Sequence, residues 1–349
     1  MAWTEPQYSK GQVDKAGQTL VSAAASYADL YDAMAVVNNW RSSHSFPLNT
    51  LQVGLRQRAR QVDPDALVAQ RIKRMSSIEA KLSRFKTIRL SQMQDIGGCR
   101  AVVRSVPNVR QLAALHDSSA MKHRLLRVDD YLDMPQSSGY RGIHLIYRYY
   151  SDRNETYNGL QIEIQLRSLL QHAWATAVET VGTFLKQALK SSQGHAEWLR
   201  FFALMGSALA LRERTPPVPE TPTERSQLFD ELHQAARRLD VERRLEAYGN
   251  ALQTLEEQSV ADAHFFLLAL DPAADTITIR GFRKNELDLA TETYLQVERA
   301  LNAASGAEAV LVSVDSIAAL KRAYPNYFLD TQAFLLAVRR ALSTGLRSR

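Results

Sequence analysis

The stretch with the clearest chemical content is residues 160–167, LQIEIQLR, in which apolar and polar side chains alternate without interruption. Period-two alternation predicts a β-strand with one buried face. Glu163 lies on the polar face between Gln161 and Gln165, and Arg167 follows. Most such faces are simply solvated, whereas a glutamate in a phosphate-rich cleft needs a metal ion or a proton-transfer role. The octapeptide alone leaves both interpretations open.

Basic residues cluster upstream, between positions 71 and 84. Lys81 and Arg84 are three positions apart, so on a helix they are neighbours and can hold the same phosphate chain. Taken alone, a solvated cationic face is the commoner explanation. The cluster consists of Arg71, Lys73, Arg74, Lys81 and Arg84.

Two glycine-containing segments add further candidates. In QDIGGCR (94–100), Asp95 precedes an expected strand and suits Mg²⁺ near phosphates, although a plain loop aspartate is equally compatible. In SSGYRGIH (137–144), the glycines allow close approach to a ligand, and Tyr140 offers a ring for stacking on a base. His144 can contact phosphate or sugar. A tyrosine in such a loop is more often a packing residue.

The surrounding pattern predicts an α/β domain that positions these residues. We expect strands at 99–106, 144–150 and 160–167. Asp63-Pro64 is expected to start a helix, as is a capping box formed by Ser76 and Glu79. The remaining helices are expected at 17–40, 49–60, 108–119, 169–190 and 195–212.

A proline-rich segment divides the chain. Residues 212–226 contain four of the eleven prolines and predict a stiff, exposed linker. Beyond it we expect a long helix over 226–258, a hairpin around Asp271-Pro272, a helix over 285–303, a strand over 309–316 and a helix to 343. The expected organisation is therefore 1–211, a linker at 212–226, and a smaller α/β domain at 227–349.

Composition narrows the classes of protein. The 349 residues are 45% hydrophobic and 23% charged, which is typical of a globular protein. A net charge of +6 suits binding of phosphates, nucleotides or RNA without requiring nucleic acid. Cys99 is the single cysteine, so an intramolecular disulfide is impossible. With neither a signal peptide nor a membrane-length apolar run, we expect a cytoplasmic protein.

Four motifs occur in an order that resembles the synthetase domain of the RelA/SpoT alarmone family. They are R-x-K-x-x-x-S-I from Arg71, D-I-x-G-x-R from Asp95, G-Y-x-x-x-H from Gly139 and E-x-Q-x-R from Glu163. The resemblance covers roughly residues 50–190. It implies a nucleotidyltransferase-like mixed sheet flanked by helices, and transfer of the β,γ-pyrophosphate of ATP to the 3′-hydroxyl of GDP or GTP, with release of AMP.

The resemblance also assigns roles to individual residues. Asp95 and Glu163 would be catalytic and would hold Mg²⁺, Glu163 also as general base. Tyr140, His144 and Gln165 would bind the acceptor nucleotide. The ATP-binding residues would be Arg71, Lys73, Lys81, Arg84 and Arg100.

Several alternatives stay open. The family often has a lysine at the position of Gln136, so the acceptor is not fixed, and related toxins pyrophosphorylate the 3′ end of tRNA instead. A third reading is an inactive nucleotide-binding regulatory protein. The hydrolase half of the long family members is absent, and His116-Asp117 lacks further ligands. Residues 227–349 are expected to regulate the synthetase, for instance by covering its ATP cleft, and homo-oligomers are compatible with the sequence.

Two further pairs of residues are weaker candidates for the functional site. Tyr324 and Tyr327 could enter the adenine pocket, but core packing is the better expectation for two tyrosines three apart. His172 and Trp174 follow the expected catalytic strand, and we expect Trp174 to be a core residue.

Overall fold

The computed structural model describes residues 3–117, 122–184, 196–249, 254–258, 263–271, 276–301, 308–314, 321 and 331–346. Tyr324 and Tyr327 lie outside these residues. Within them, no helix is both long enough and apolar enough to cross a membrane.

The strands form one mixed sheet in the order β3-β4-β5-β2-β1-β9-β7-β8-β6. β2 runs parallel to β5 and β6 runs parallel to β8, while the other neighbours are antiparallel. The strands are β1 (Leu67–Ile72), β2 (Gly97–Val103), β3 (Arg124–Asp130), β4 (Ile143–Arg148), β5 (Gln161–Ser168), β6 (Thr254–Gln258), β7 (Ala263–Asp271), β8 (Thr276–Arg283) and β9 (Glu308–Ser313).

Helices surround this sheet. They are α1 (Lys10–Leu20), α2 (Tyr27–Ser43), α3 (Ser45–Val62), α4 (Met75–Arg84), α5 (Val106–Asp117), α6 (Leu169–Phe184), α7 (Ala196–Glu213), α8 (Arg225–Arg238), α9 (Val241–Gly249), α10 (Leu287–Leu301) and α11 (Gln332–Leu346). A mixed sheet flanked by helices confirms the expected fold class.

The main sheet core lies beneath α3 and α5. Ile162, Ile164 and Leu166 of β5 are fully buried there, together with Cys99 and Ala101 of β2. Because side chains alternate along a strand, the polar residues of β5 lie on the opposite face. The predicted two-faced strand is therefore confirmed.

Several local predictions were wrong. Residues 17–40 form parts of two helices, α1 and α2, and 226–258 contains α8, α9 and β6. The break between α8 and α9 contains Asp240, whose φ of 48° is left-handed. The Asp63-Pro64 helix start is instead a turn before β1, where the Asp63 carboxylate accepts the Arg104 N–H at 2.7 Å. β1 and β3 were not predicted.

The capping box at Ser76 was also wrong. α4 begins one residue earlier, at Met75, and its N-cap residue Arg74 makes no side-chain capping bond. The Met75 N–H is bound instead by the carboxylate of Glu298, at 2.9 Å.

The N-terminal and C-terminal halves of the chain contribute strands to the same sheet. β9 pairs with β1, which places Val312 opposite Arg71. Residues 215–224 have no helix or strand, but they pack on α7, because the Val218 N–H donates to the Ser207 hydroxyl at 2.8 Å. Helices α6 to α9 and α11 share one hydrophobic core.

Candidate functional site

Strand register brings half of the ten candidate residues onto one sheet face. Arg71, Gly98 and Glu163 form one row across β1, β2 and β5. Two residues along, Arg100, Gln165 and His144 form the next row across β2, β5 and β4. Both rows lie on the sheet face opposite the core of α3 and α5. The polar residues of β5 therefore lie beside candidate residues from β1, β2 and β4.

Glu163 and His144 form an almost buried pair in the centre of this face. The Glu163 carboxylate accepts hydrogen bonds from His144 Nδ1 at 2.9 Å and from Gln165 Nε2 at 2.7 Å. His144 Nε2 lies 2.5 Å from the Tyr140 hydroxyl. Four residues predicted for catalysis or acceptor binding are therefore linked by hydrogen bonds: Glu163, Gln165, His144 and Tyr140.

The charges of this pair stabilise each other. Burial opposes the charged form of His144, but Tyr140 and Glu163 outweigh it and raise its pKa to about 9. Burial likewise opposes ionisation of Glu163, yet the hydrogen bond and charge of His144 hold the pKa of that carboxyl below its usual value. Imidazolium and carboxylate are thus both charged at neutral pH.

Arg167 belongs to this network and was not among the predicted site residues. Its Nη2 donates to the Tyr140 hydroxyl and to Gln165 Oε1, both at 2.9 Å. Its guanidinium also lies over one face of the Tyr140 ring, 5.1 Å from the centroid. The alternation along β5 was the signal that could have included it, because Arg167 shares the face of Glu163.

Asp95 lies between two lysines. Lys73 Nζ is 2.5 Å from one carboxylate oxygen and Lys81 Nζ is 3.0 Å from the other. Burial would raise the pKa of Asp95, but the two ammonium groups hold it far below its ordinary value. The charge of Asp95 also acts on Glu163 and opposes the lowering of its pKa by His144, so the two carboxylates interact electrostatically.

These two carboxylates are a donor set suited to Mg²⁺, which prefers oxygen and takes its remaining ligands from waters and substrate phosphates. The part of the chain that the structure describes contains no group of three or more His, Cys, Asp or Glu side chains placed to hold a metal. A metal at Asp95 and Glu163 would therefore depend on a nucleotide to complete its coordination.

The three arginines predicted to bind ATP lie on two elements of different kinds: Arg71 and Arg100 are on the sheet, and Arg84 is on α4. Arg71 and Arg100 lie on adjacent strands of the same face, as diagonal neighbours, a separation of roughly 7–8 Å in a sheet. Gly98 opposite Arg71 leaves open space, since a Cβ built there meets no atom within 4 Å. Arg84 is exposed on α4, with its guanidinium 4.9 Å from the Phe85 ring centroid.

The weaker candidates are mostly structural. Trp174 is buried as expected, and its indole N–H donates to the Phe202 carbonyl at 3.0 Å. His172 is also buried. His116 lies in the core against the Tyr147 hydroxyl, at 3.3 Å.

The loop that carries Tyr140 is anchored by a buried cluster of Arg141, Gln171 and Glu213. Arg141 donates to the Gly206 carbonyl at 3.0 Å and to the Glu213 carboxylate at 2.5 Å. Glu213 also accepts from the Gln171 amide at 2.9 Å. The loop is therefore tied to α6 and α7.

Comparison with known proteins finds similarity in the central segment of the chain. Residues 70–183 match the family model described as "Region found in RelA / SpoT proteins". A 120-residue segment is 32% identical to GTP pyrophosphokinase YjbM of Bacillus subtilis, covering 32% of this chain and 54% of that protein. The chain thus spans about half the length of this curated relative.

Two solved structures are also similar. Small alarmone synthetase 1 of Bacillus subtilis bound to its product pppGpp is 20% identical, with 52% of this chain and 92% of that chain covered and a TM-score of 0.44. A GTP pyrophosphokinase family protein of Streptococcus pneumoniae is 22% identical, with 48% and 84% covered and a TM-score of 0.41. The family model thus matches residues 70–183 of this chain, the segment that contains all four motifs.

Proposed function

We propose that the chain is an ATP-dependent pyrophosphokinase that transfers the β,γ-pyrophosphate of ATP to the 3′-hydroxyl of GDP or GTP. One observation carries the proposal: Glu163, on the polar sheet face, interacts electrostatically with Asp95, and Asp95 is contacted by Lys73 and Lys81 from outside the strands. Phosphoryl-type transfer depends mainly on positioning and charge neutralisation, and this face supplies both.

The donor side of the reaction falls to β1, β2 and α4. Arg71 and Arg100 can stack on a purine from adjacent strands, which needs the planar guanidinium. Lys73 and Lys81 can exchange their contacts with Asp95 for phosphate oxygens. Arg84, exposed on the same helix as Lys81, can reach the outer end of a phosphate chain.

The acceptor side falls to β4, β5 and the loop before them. Tyr140, half-buried with Arg167 over one face of its ring, is the residue that we assign to stacking on the acceptor base. The oxygen of the 3′-hydroxyl attacks the β-phosphorus and releases its proton to water, the bond from that phosphorus to the α,β-bridging oxygen breaks, and AMP leaves with the bridging oxygen. Because its pKa is lowered, Glu163 stays ionised as a hydrogen-bond acceptor and is a weak base, so we assign it mainly to orienting the hydroxyl and contacting the metal.

Mg²⁺ is the cofactor we propose, held by Asp95 and Glu163. When bound, it would neutralise charge on the transferred phosphates. Nucleotide substrates and the reduced thiol of Cys99 suit a cytoplasmic location.

The proposed division at residues 212–226 assigns a regulatory role to residues 227–349. Its support is proximity, because β9 lies beside β1 at Arg71. A truncation would remove α8, α9 and α11 from the core that they share with α6 and α7, so point substitutions are the better test of this role.

Transfer is tested by offering the full-length protein ATP labelled at the β- and γ-phosphates, with GDP, GTP, adenosine nucleotides or deacylated tRNA as acceptor. We expect label in the guanosine nucleotides, with loss in Asp95→Asn and retention in the exposed control Asp152→Asn. Label in tRNA would replace the acceptor and support the toxin alternative. Label in none would refute the enzymatic proposal and leave a regulatory nucleotide-binding protein.

A further inference from the structure

A buried carboxylate from the C-terminal half contacts the segment that carries the lysines proposed to bind ATP. Glu298, on α10, is 8% exposed. Its carboxylate accepts hydrogen bonds from Arg41 Nη1 at 2.9 Å, from the Tyr294 hydroxyl at 2.6 Å and from the Met75 N–H at 2.9 Å. Met75 is 223 residues away in sequence.

This carboxylate acts as the missing cap of α4. Arg74, the N-cap residue, makes no side-chain capping bond, and the first N–H groups of a helix need an external acceptor. A negative charge is favoured at a helix N-terminus. Glu298 therefore supplies both the acceptor and the charge.

The same cluster fixes the residue on the other side of Arg74. Arg41, paired with Glu298, donates from Nε to the Lys73 carbonyl at 2.9 Å. The Lys73 N–H in turn donates to the Ile96 carbonyl at 2.8 Å. The backbone from Lys73 to Met75 is thus held from both sides, and with it the start of α4.

Fixing this backbone sets the spacing of the two lysines. Lys73 lies just before α4 and Lys81 two turns into it, and both ammonium groups meet on Asp95. If the first turn of α4 loosens, Lys81 moves relative to Lys73. The two charges could then no longer converge on one phosphate chain.

We propose that Glu298 is a positioning residue for ATP, acting through α4 to hold Lys81 in register with Lys73. This rests on the proposed function, since it concerns the ATP side of that site. Glu298 touches neither nucleotide nor reacting atoms, so its effect should fall on the affinity for ATP and not on that for the acceptor.

The test compares full-length Glu298→Gln with two matched variants. Glutamine keeps the size of the side chain but loses its charge, so the buried Arg41 is not left without an acceptor. Tyr294→Phe removes a hydroxyl from the same cluster and leaves the bond between Glu298 and Met75. Glu292→Gln removes an exposed carboxylate from the same helix.

For Glu298→Gln we expect a rise of roughly tenfold in KM for ATP, the order of one charge-assisted contact, with an unchanged KM for the acceptor. Amide hydrogen exchange of residues 75–84 should accelerate in this variant alone. Tyr294→Phe should lower the Tm with little change in KM for ATP, and Glu292→Gln should match the wild type.

Unchanged exchange in residues 75–84 overturns the proposal, as does an equal rise of KM for ATP in Tyr294→Phe or a parallel rise of KM for the acceptor. The wild type separates this from failure of the proposed function. If it transfers no pyrophosphate, the proposed function fails first, and the affinity for a non-hydrolysable ATP analogue then replaces KM in the same comparison. If the wild type binds no analogue either, both proposals are refuted.

Discussion

Gly98 offers a test that separates catalysis from stability. It lies on β2 between Arg71 and Glu163, and a Cβ built there meets no atom within 4 Å. The Cβ of Gly98→Leu would therefore meet no protein atom, and the rest of the side chain would extend into the space between Arg71 and Glu163. Since glycine within a strand costs about 0.5–1 kcal/mol, we expect the Tm to stay constant or rise slightly.

The expected cost falls on the reaction. If the space over Gly98 holds the nucleotide, a leucine side chain displaces it from Glu163 by more than 1 Å. Misplacement of that size lowers the rate roughly a hundredfold. The measurements are kcat/KM for pyrophosphate transfer and the Tm, and Gly98→Ala is the graded control that should retain most of the activity.

The neighbouring glycine gives the opposite control. A Cβ at Gly97 would lie 2.7 Å from Ile162 Cδ1, so Gly97→Ala overpacks the core and should cost about 1–3 kcal/mol of stability. Gly98→Leu with kcat/KM equal to that of the wild type would refute the idea that substrate occupies the face between Arg71 and Glu163.

Three further predictions follow from the buried polar groups. Glu163→Gln should lower kcat about a hundredfold and lower the pKa of His144, measured by NMR titration, because it removes one source of that raised value. Burial lowers the pKa of His44 to about 4 from 6.5, so the unfolded state takes up the proton first. The free energy of unfolding should then fall by up to about 1.4 kcal/mol per pH unit as the pH is lowered from 6.5 to 4. His44→Asn should flatten that slope in urea titrations. Glu213→Gln should weaken the buried pair with Arg141 and destabilise the fold by about 3 kcal/mol, with a higher KM for the acceptor; an unchanged Tm would contradict the anchoring role of that pair.

The sequence predicted the central strands because burial there is one-sided. Ile162, Ile164 and Leu166 are each fully buried, so β5 shows a clean period of two. Once that strand is assigned, Glu163 and Gln165 must share a face. The apolar character of α6 and α7 likewise made those helices predictable.

β1 and β3 escaped prediction because their patterns are weak. β1 reads LVAQRI, in which Val68 and Ala69 are buried in succession between two neighbouring strands. β3 lies at the edge of the sheet and alternates poorly, with Val128 half exposed. Short segments of this kind are decided by their partners.

The local helix-start signals failed for a related reason. Asp63 binds the backbone of Arg104, 41 residues away, and Glu298 caps α4 from the other half of the chain. Each replaces a local capping bond by a long-range one. Pattern matching within a few residues cannot detect such an acceptor, because its position depends on the completed sheet.

The charged groups of the candidate site satisfy one another in the protein alone. Asp95 is neutralised by Lys73 and Lys81, and Glu163 by His144. Leaving any of these nearly buried charges without a partner would be costly. Under the proposed reaction, substrate binding would exchange these partners: the lysines would contact phosphate oxygens, and Asp95 would be available to hold Mg²⁺. Binding energy is then the difference between two well-paired states, so Asp95→Asn should strengthen the hold of the lysines on phosphate while abolishing transfer. Weaker binding of ATP by that variant in the absence of Mg²⁺ would contradict this exchange and show that Asp95 orders the lysines.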